Sequence, residues 1–320
     1  MFLYSFEIVA GLILLIFGAD RFVSGAASIS RILGISPLII GITIVGMATS
    51  APEILVGSVA AIDGKTGIAV GNAIGSNIAN ISLVLGGAAL FLPFVATSKT
   101  LGREYLVMMG ALLSGLIVMI DLYLSRIDAL ILLLGLITFI FWTIYMAKQS
   151  QEPDPLIIDI EHQIPITSSK SKSIVMLIVG LATLLLGAKI LVTGAIDVAK
   201  AFGISDIVIG LTIIAVGTSL PELAASITSI IKNEADIAIG NIIGSNIFNI
   251  LAVLSIPVLI HPDEFVSAVL TRDMSIMFIL SLMLGWILFI RKKFDRPVGL
   301  ILLSIFLGYQ SWLFTHSTGA

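Results

Sequence analysis

The chain has 320 residues, of which 58% are apolar and only 12% charged, with a net charge of −3 and no cysteine. Soluble chains carry about 45–50% apolar and about 25% charged residues, so this composition excludes a soluble globular protein and specifies an integral membrane protein of several spans. The missing cysteines exclude disulfides, thiolate metal sites and cysteine nucleophiles, and without a basic stripe to neutralise phosphates no nucleic acid is expected; the partner this composition does imply is membrane lipid.

In chain order, apolar runs long enough to cross a bilayer fall at about 3–19, 36–61, 67–92, 104–121, 127–147, 173–192, 205–231, 236–260, 272–290 and 297–314. The first and sixth are expected to continue as amphipathic helix to about 33 and 202, tilted or partly interfacial. No run alternates with period 2, which removes a transmembrane β-barrel. The first run has neither a basic leader nor a small-residue cleavage site, so it is expected to belong to the fold rather than to a cleaved signal. Residues 148–172 form the longest polar stretch and read as an exposed linker between residues 1–147 and 173–320. His162, His261 and His316 lie outside the runs, which argues against haem or a histidine-rich zinc site.

Basic residues set the orientation. Twelve lie in the loops that join odd-numbered to even-numbered spans, among them Arg21, Arg31, Lys99, Lys148, Lys172, Lys232 and the cluster at 291–296. Five, Lys65, Arg126, Lys189, Lys200 and Arg272, lie on the other side. The positive-inside rule then puts the linker in the cytoplasm and both termini outside, in a multi-pass protein of the plasma or inner membrane.

Shifted by 169 residues, the chain matches itself. Over residues 11–85, about 33 of 75 positions are identical without a gap. Thr49-Ser50-x-Pro52-Glu53 meets Thr218-Ser219-x-Pro221-Glu222, and Gly75-Ser76-Asn77-Ile78-x-Asn80 meets Gly244-Ser245-Asn246-Ile247-x-Asn249. Shared apolar composition does not reproduce polar identities of this kind. With five spans in each half, an odd number, the second half is inverted. The expected fold is an all-α polytopic membrane protein of ten transmembrane helices in two inverted five-helix repeats, a plan common among secondary transporters.

Glu53 and Glu222 fall near the middle of their spans, where a charge costs at least about 2.5–3.5 kcal/mol, and no intramembrane Arg or Lys is at hand to pair with them. A bound cation, protonation, or the two in turn would account for both. Ser50-x-x-Glu53 and Ser219-x-x-Glu222 also fit a capping box at a helix restart. A break there is expected to free carbonyls of Gly46, Met47 and Ala48, and of Ala215, Val216 and Gly217. With the hydroxyls of Thr49, Ser50, Thr218 and Ser219 these make an all-oxygen set suited to Na⁺ or Ca²⁺. Asn72, Ser76 and Asn80 form one helical stripe, repeated as Asn241, Ser245 and Asn249. The glycine edges Gly71/Gly75 and Gly240/Gly244 read first as close helix packing. Two carboxylates are neutralised by one Ca²⁺, by two Na⁺ or by two protons, and competition for one such site is the logic of an antiporter.

In GMATSAPEI with GNAIGSNIANI, and in GTSLPEL with GNIIGSNIFNI, the chain resembles the sodium/calcium exchanger family of the calcium/cation antiporters, in its compact prokaryotic form. The two motif regions span about 36–85 and 205–254. The resemblance implies that Glu53 and Glu222 are paired Ca²⁺ ligands and that Thr49 and Thr218 add backbone oxygens. It implies Na⁺ sites at Ser50, Ser76, Ser219 and Ser245 with the carbonyls of Gly46 and Ala215, with Asn80 and Asn249 facing the middle. It also implies that the first and sixth spans slide to switch access. Ala48, Ala51 and Asn249 depart from the family pattern, Asn249 standing where many exchangers have Asp, which opens the number of Na⁺ ions and any K⁺ requirement. The expected function is Ca²⁺/Na⁺ antiport without a resident cofactor, with Ca²⁺/H⁺ antiport on the same scaffold as the alternative and a single chain sufficient for the transport core. An intramembrane enzyme is disfavoured because no His lies in the spans, and a passive channel needs no inverted midplane carboxylates.

Overall fold

The computed structural model describes residues 2–98, 101–149, 169–202 and 215–317, so most of the 148–172 linker lies outside the described residues. Helix α1 runs Phe2–Leu33, α2 Pro37–Ile62 and α3 Thr66–Phe91. A strand β1, Phe94–Val95, precedes α4, Leu101–Val118. Then come β2, Tyr123–Leu124, and α5, Arg126–Gln149. The second half opens with α6, Lys170–Ala201. A short turn, Ala215–Thr218, leads into α7, Leu220–Ile231. After it come α8, Ala235–Ile260, β3, Asp263–Glu264, α9, Val269–Arg291, β4, Lys293–Phe294, and α10, Arg296–Ser317.

Among the described residues, seven helices are long and apolar enough to cross a membrane, namely α2 to α6, α8 and α9. The protein is thus a mostly helical polytopic membrane protein. Residues 203–214, the first part of the predicted 205–231 span, lie outside the described residues. The first and sixth spans are longer than their apolar runs and continue unbroken to Leu33 and Ala201. The fourth helix stops at Val118 instead of 121.

The all-α expectation needs a small correction, because two antiparallel ribbons of two residues each tie the halves together. Phe94 pairs with Phe294 and Val95 with Lys293 in one; Tyr123 pairs with Glu264 and Leu124 with Asp263 in the other. The rings of Phe94 and Phe294 stack with centroids 4.6 Å apart. The 169-residue offset carries β1 onto β3 and β2 to within one residue of β4, and so exchanges the two ribbons.

Helices α3 and α8 form the centre. Across its most apolar stretch α8 has 89% of its residues buried and α3 has 78%, against 22% for α5 and α6. Around them lies one large apolar cluster that includes Ile74, Ile78, Leu112, Ile243, Ile247 and Leu284. α1 and α6 pack antiparallel, backbone on backbone. A Cβ on Gly11, Gly18 or Gly25 would lie 2.3–2.6 Å from the main chain of Leu191, Leu184 or Leu177. Gly180 and Gly187 meet the main chain of Phe22 and Leu15 equally closely. These glycines recur every seventh residue, so they line one stripe of each helix, and with no side chain in the way the backbones close to contact.

The second half of α1 is pinned to the α7–α8 turn. Lys232 pairs with Asp20 at 2.7 Å, and Arg31 pairs with Glu234. Burial pushes the Glu234 carboxyl above its usual range, and the Arg31 guanidinium works against that.

Candidate functional site

Both α2 and the segment leading into α7 break at a serine. Ser50 has φ −80° and ψ 2°, and Ser219 φ −87° and ψ 2°, in the bridge region between helix and strand. The cause is local. Pro52 and Pro221 have no N–H to return to the carbonyls four residues earlier, so the helical ladder lapses and restarts. Glu53 and Glu222 lie in the first turn of the restarted helices, each only 1% exposed.

Two expectations are corrected at this break. Neither Ser50 nor Ser219 makes a side-chain cap bond, so the capping box does not form. A capping residue takes extended backbone to aim its hydroxyl at the first free N–H groups, and these serines do not. Two of the expected free carbonyls are also occupied. Gly46 accepts the Ser50 N–H at 3.2 Å, and Val216 accepts the Ser219 N–H at 3.1 Å.

The asparagines divide into two jobs. Asn72 donates to the Glu53 carbonyl at 3.1 Å, and Asn241 to that of Glu222 at 3.4 Å, so each ties its helix to the neighbouring break. Asn80 donates to Oδ1 of Asn246 at 3.1 Å, and Asn249 to Oδ1 of Asn77 at 3.0 Å. Asn77 in turn donates to the Asn246 carbonyl at 3.3 Å. A carbonyl only accepts, so this bond fixes which end of the Asn77 amide is nitrogen and leaves its Oδ1 to receive Asn249. Asn249 therefore presents its own Oδ1 away from the clasp. Both Asn80 and Asn249 begin a π-helical turn, Asn80–Leu85 and Asn249–Val253, a widening of the helix often found at functional sites.

Sequence reasoning placed Asn77 and Asn246 in the motifs without giving them a role. The usable signal was the first asparagine of G-S-N-I-x-N, present in both halves.

Among the described residues, eight buried side-chain oxygens have no hydrogen-bond partner. Two belong to Glu7 and Glu104; the other six are Oγ of Ser50 and Ser219, Oε2 of Glu53 and Glu222, and Oδ1 of Asn80 and Asn249. These six are three pairs related by the 169-residue offset. The charge of Glu222 bears on Glu53, so the two carboxylates form one electrostatic unit. Leaving buried acceptors unmet costs about 1–3 kcal/mol each, more if charged, so the cluster is built to meet a donor or a cation. Acceptors of this kind, with no thiolate or imidazole, suit a hard cation.

The two halves of the site are not packed alike. Ser245 donates to the Gly46 carbonyl at 3.3 Å, and Thr49 reaches Oδ1 of Asn241 at 3.1 Å. Thr49, Ser76 and Ser245 are all buried, whereas Thr218 is half-buried. Ala215 opens the short turn before the second break. Gly240 and Gly244 lie against the carbonyls of Leu38 and Ile42, which bears out the packing reading for that edge. For Gly71 and Gly75, positions 207 and 211, the images of Leu38 and Ile42 under the offset, lie outside the described residues.

Known proteins resemble this chain over nearly its whole length. A sequence model described as sodium/calcium exchanger protein matches residues 5–149 and 172–315. CaxA of Alkalimonas amylolytica is 45% identical over 322 residues, 98% of this chain and 100% of that one. The sodium/calcium exchanger MaX1 of Methanosarcina acetivorans is 30% identical over 95% of this chain and 96% of its own. The solved structure of the sodium-calcium exchanger NCX_Mj superposes with a TM-score of 0.84 at 35% identity, covering 98% and 99% of the two chains. With the doubled break, the paired glutamates and these full-length likenesses together, the chain belongs to the sodium/calcium exchanger family.

Proposed function

We propose that this chain is a secondary antiporter that exchanges Ca²⁺ for Na⁺ across the cell membrane by alternating access. The observation that carries the reading is the set of six unpartnered buried oxygens, contributed equally by the two halves and including both glutamates. Glu53 and Glu222 are the Ca²⁺ ligands, with the backbone oxygens of Thr49 and Thr218. Ser50, Ser76, Ser219 and Ser245, with the carbonyl of Ala215, serve Na⁺, and Asn80 and Asn249 face the middle. The ordering into ten spans, with residues 1–147 and 173–320 as inverted repeats, is part of this reading. It is supported by the exchange of the two ribbons and the antiparallel α1–α6 pair. So are a cytoplasmic linker and outward termini, which the distribution of basic residues supports. Every proposed ligand comes from one chain, which supports a monomer as the working unit, and no resident cofactor or enzymatic step is required.

The test is uptake of radioactive Ca²⁺ into liposomes against an outward Na⁺ gradient, then against an outward H⁺ gradient without Na⁺. Na⁺-driven uptake is expected. Glu53→Gln and Glu222→Gln are each expected to reduce it by more than about tenfold, the factor equivalent to 1.4 kcal/mol. Uptake driven by H⁺ alone would keep the site and move the protein to the proton-coupled branch.

A further inference from the structure

The ion pair between Asp20 on α1 and Lys232 at the end of α7 has an image under the internal repeat. The 169-residue offset carries Asp20 to Lys189 on α6, and Lys232 to Asp63 at the end of α2. Each position has exchanged its charge sign, so the image is again one acid and one base. Asp63 and Lys189 are exposed and take part in no side-chain hydrogen bond or ion pair among the described residues.

The neighbourhoods of the two pairs differ in the same sense. Beside Asp20, Phe22, Val23 and Ala26 of α1 are completely buried. Their images on α6, Leu191, Val192 and Ala195, are half-buried. On the side of the made pair, α2 closes against Gly240 and Gly244. One face is buried and latched, and the other is more exposed, with its complementary charges unpaired among the described residues.

Inverted repeats generate the opposite-facing state by exchanging the conformations of the two halves. On the antiport reading above, on which this inference rests, the contacts of Asp20 and Lys232 must pass to their images when access changes sides. We propose that Asp63 and Lys189 form the ion pair of the opposite-facing state, made as the Asp20–Lys232 pair breaks. The second pair on the latched face, Arg31 with Glu234, lacks this property, because its images are Lys200 and Lys65, both cations. Retained complementarity is therefore particular to the first pair, and a chance pairing of surface charges would not require both signs to change together.

The absence of cysteine makes the test direct. In proteoliposomes, the double variants Asp20→Cys/Lys232→Cys and Asp63→Cys/Lys189→Cys are each expected to form a disulfide under mild oxidation. Each disulfide is expected to stop Ca²⁺ exchange, and a reductant to restore it. A charge-reversal series provides a second readout that does not depend on cross-linking. Ser24 lines a cavity of about 190 Å³ beside the made latch, so Ser24→Cys reports opening of that face by thiol labelling. Adding Lys189→Asp is expected to slow that labelling about two- to fivefold, the range for an exposed ion pair, and adding Asp63→Lys as well to restore it. Failure of the Asp63–Lys189 disulfide in a variant that still exchanges Ca²⁺, or a double reversal that restores nothing, overturns the latch. Parent protein that moves no Ca²⁺ against Na⁺ in these vesicles overturns the antiport reading instead, while cross-linking still reads the latch geometry.

Discussion

At the scale of single residues, the site is organised by what its amides and hydroxyls are denied. Ser50 and Ser219 make no cap, and Asn80 and Asn249 spend their N–H groups on the opposite half. Each is left with a buried oxygen that has no hydrogen-bond partner. Asn77 is the positioning residue for Asn249, because its amide is held one way round by the Asn246 carbonyl. Asn77→Ala is expected to free Asn249 to turn its amide, at a cost of about 1–3 kcal/mol for the lost partner. The expected readout is a fall in apparent Ca²⁺ affinity in the liposome assay with little change in the amount of folded protein. Asn77→Asp keeps an acceptor for Asn249 and is expected to recover part of the affinity. Equal loss of folded protein in both variants would reduce Asn77 to a packing residue. The paired glutamates were legible in the sequence because intramembrane charge is rare and theirs is doubled. The asparagine clasp was not, because it joins residues 169 or so apart, and only their spatial meeting assigns donors and acceptors.

At the scale of elements, glycine stripes decide how closely helices approach. An added methyl at Gly244 would lie 2.1 Å from the Ile42 carbonyl. Gly244→Ala should therefore cost about 1–3 kcal/mol through overpacking and lower the thermal unfolding temperature in detergent. If access alternates by movement at this edge, the same substitution slows Ca²⁺ turnover in the liposome assay. The small-xxx-small spacing was visible in the sequence, but which backbone meets each glycine is set by tertiary packing, which no local pattern encodes. The π-helical turns at Asn80 and Asn249 were also invisible, since one extra residue in a helical turn leaves the apolar pattern of these buried helices unaltered.

At the scale of the whole molecule, the two ion pairs Asp20–Lys232 and Arg31–Glu234 lie together beside the α7–α8 turn. The reading of the basic residues puts the α7–α8 turn on the cytoplasmic side and the α2–α3 turn outside. In right-side-out vesicles of the cysteine-free chain, Lys65→Cys is expected to react with an impermeant thiol reagent. Asn233→Cys is expected to stay protected until the membrane is permeabilised. The reverse pattern would invert the topology and with it the assignment of the latched face. The ribbons β1–β4 and β2–β3 were not anticipated, because two-residue strands carry no periodic signal and form only where tertiary packing brings the two halves side by side.

By itself the sequence determined that the protein is a membrane protein, that its polar motif is duplicated, and that two acids sit where a bilayer tolerates charge least. These follow from composition, self-similarity and hydropathy, which are properties of the chain before it folds. The tertiary structure alone decided which oxygens are left without partners, which asparagine orients which, and which backbone closes on Gly240 and Gly244. Those outcomes depend on distances between residues far apart in sequence.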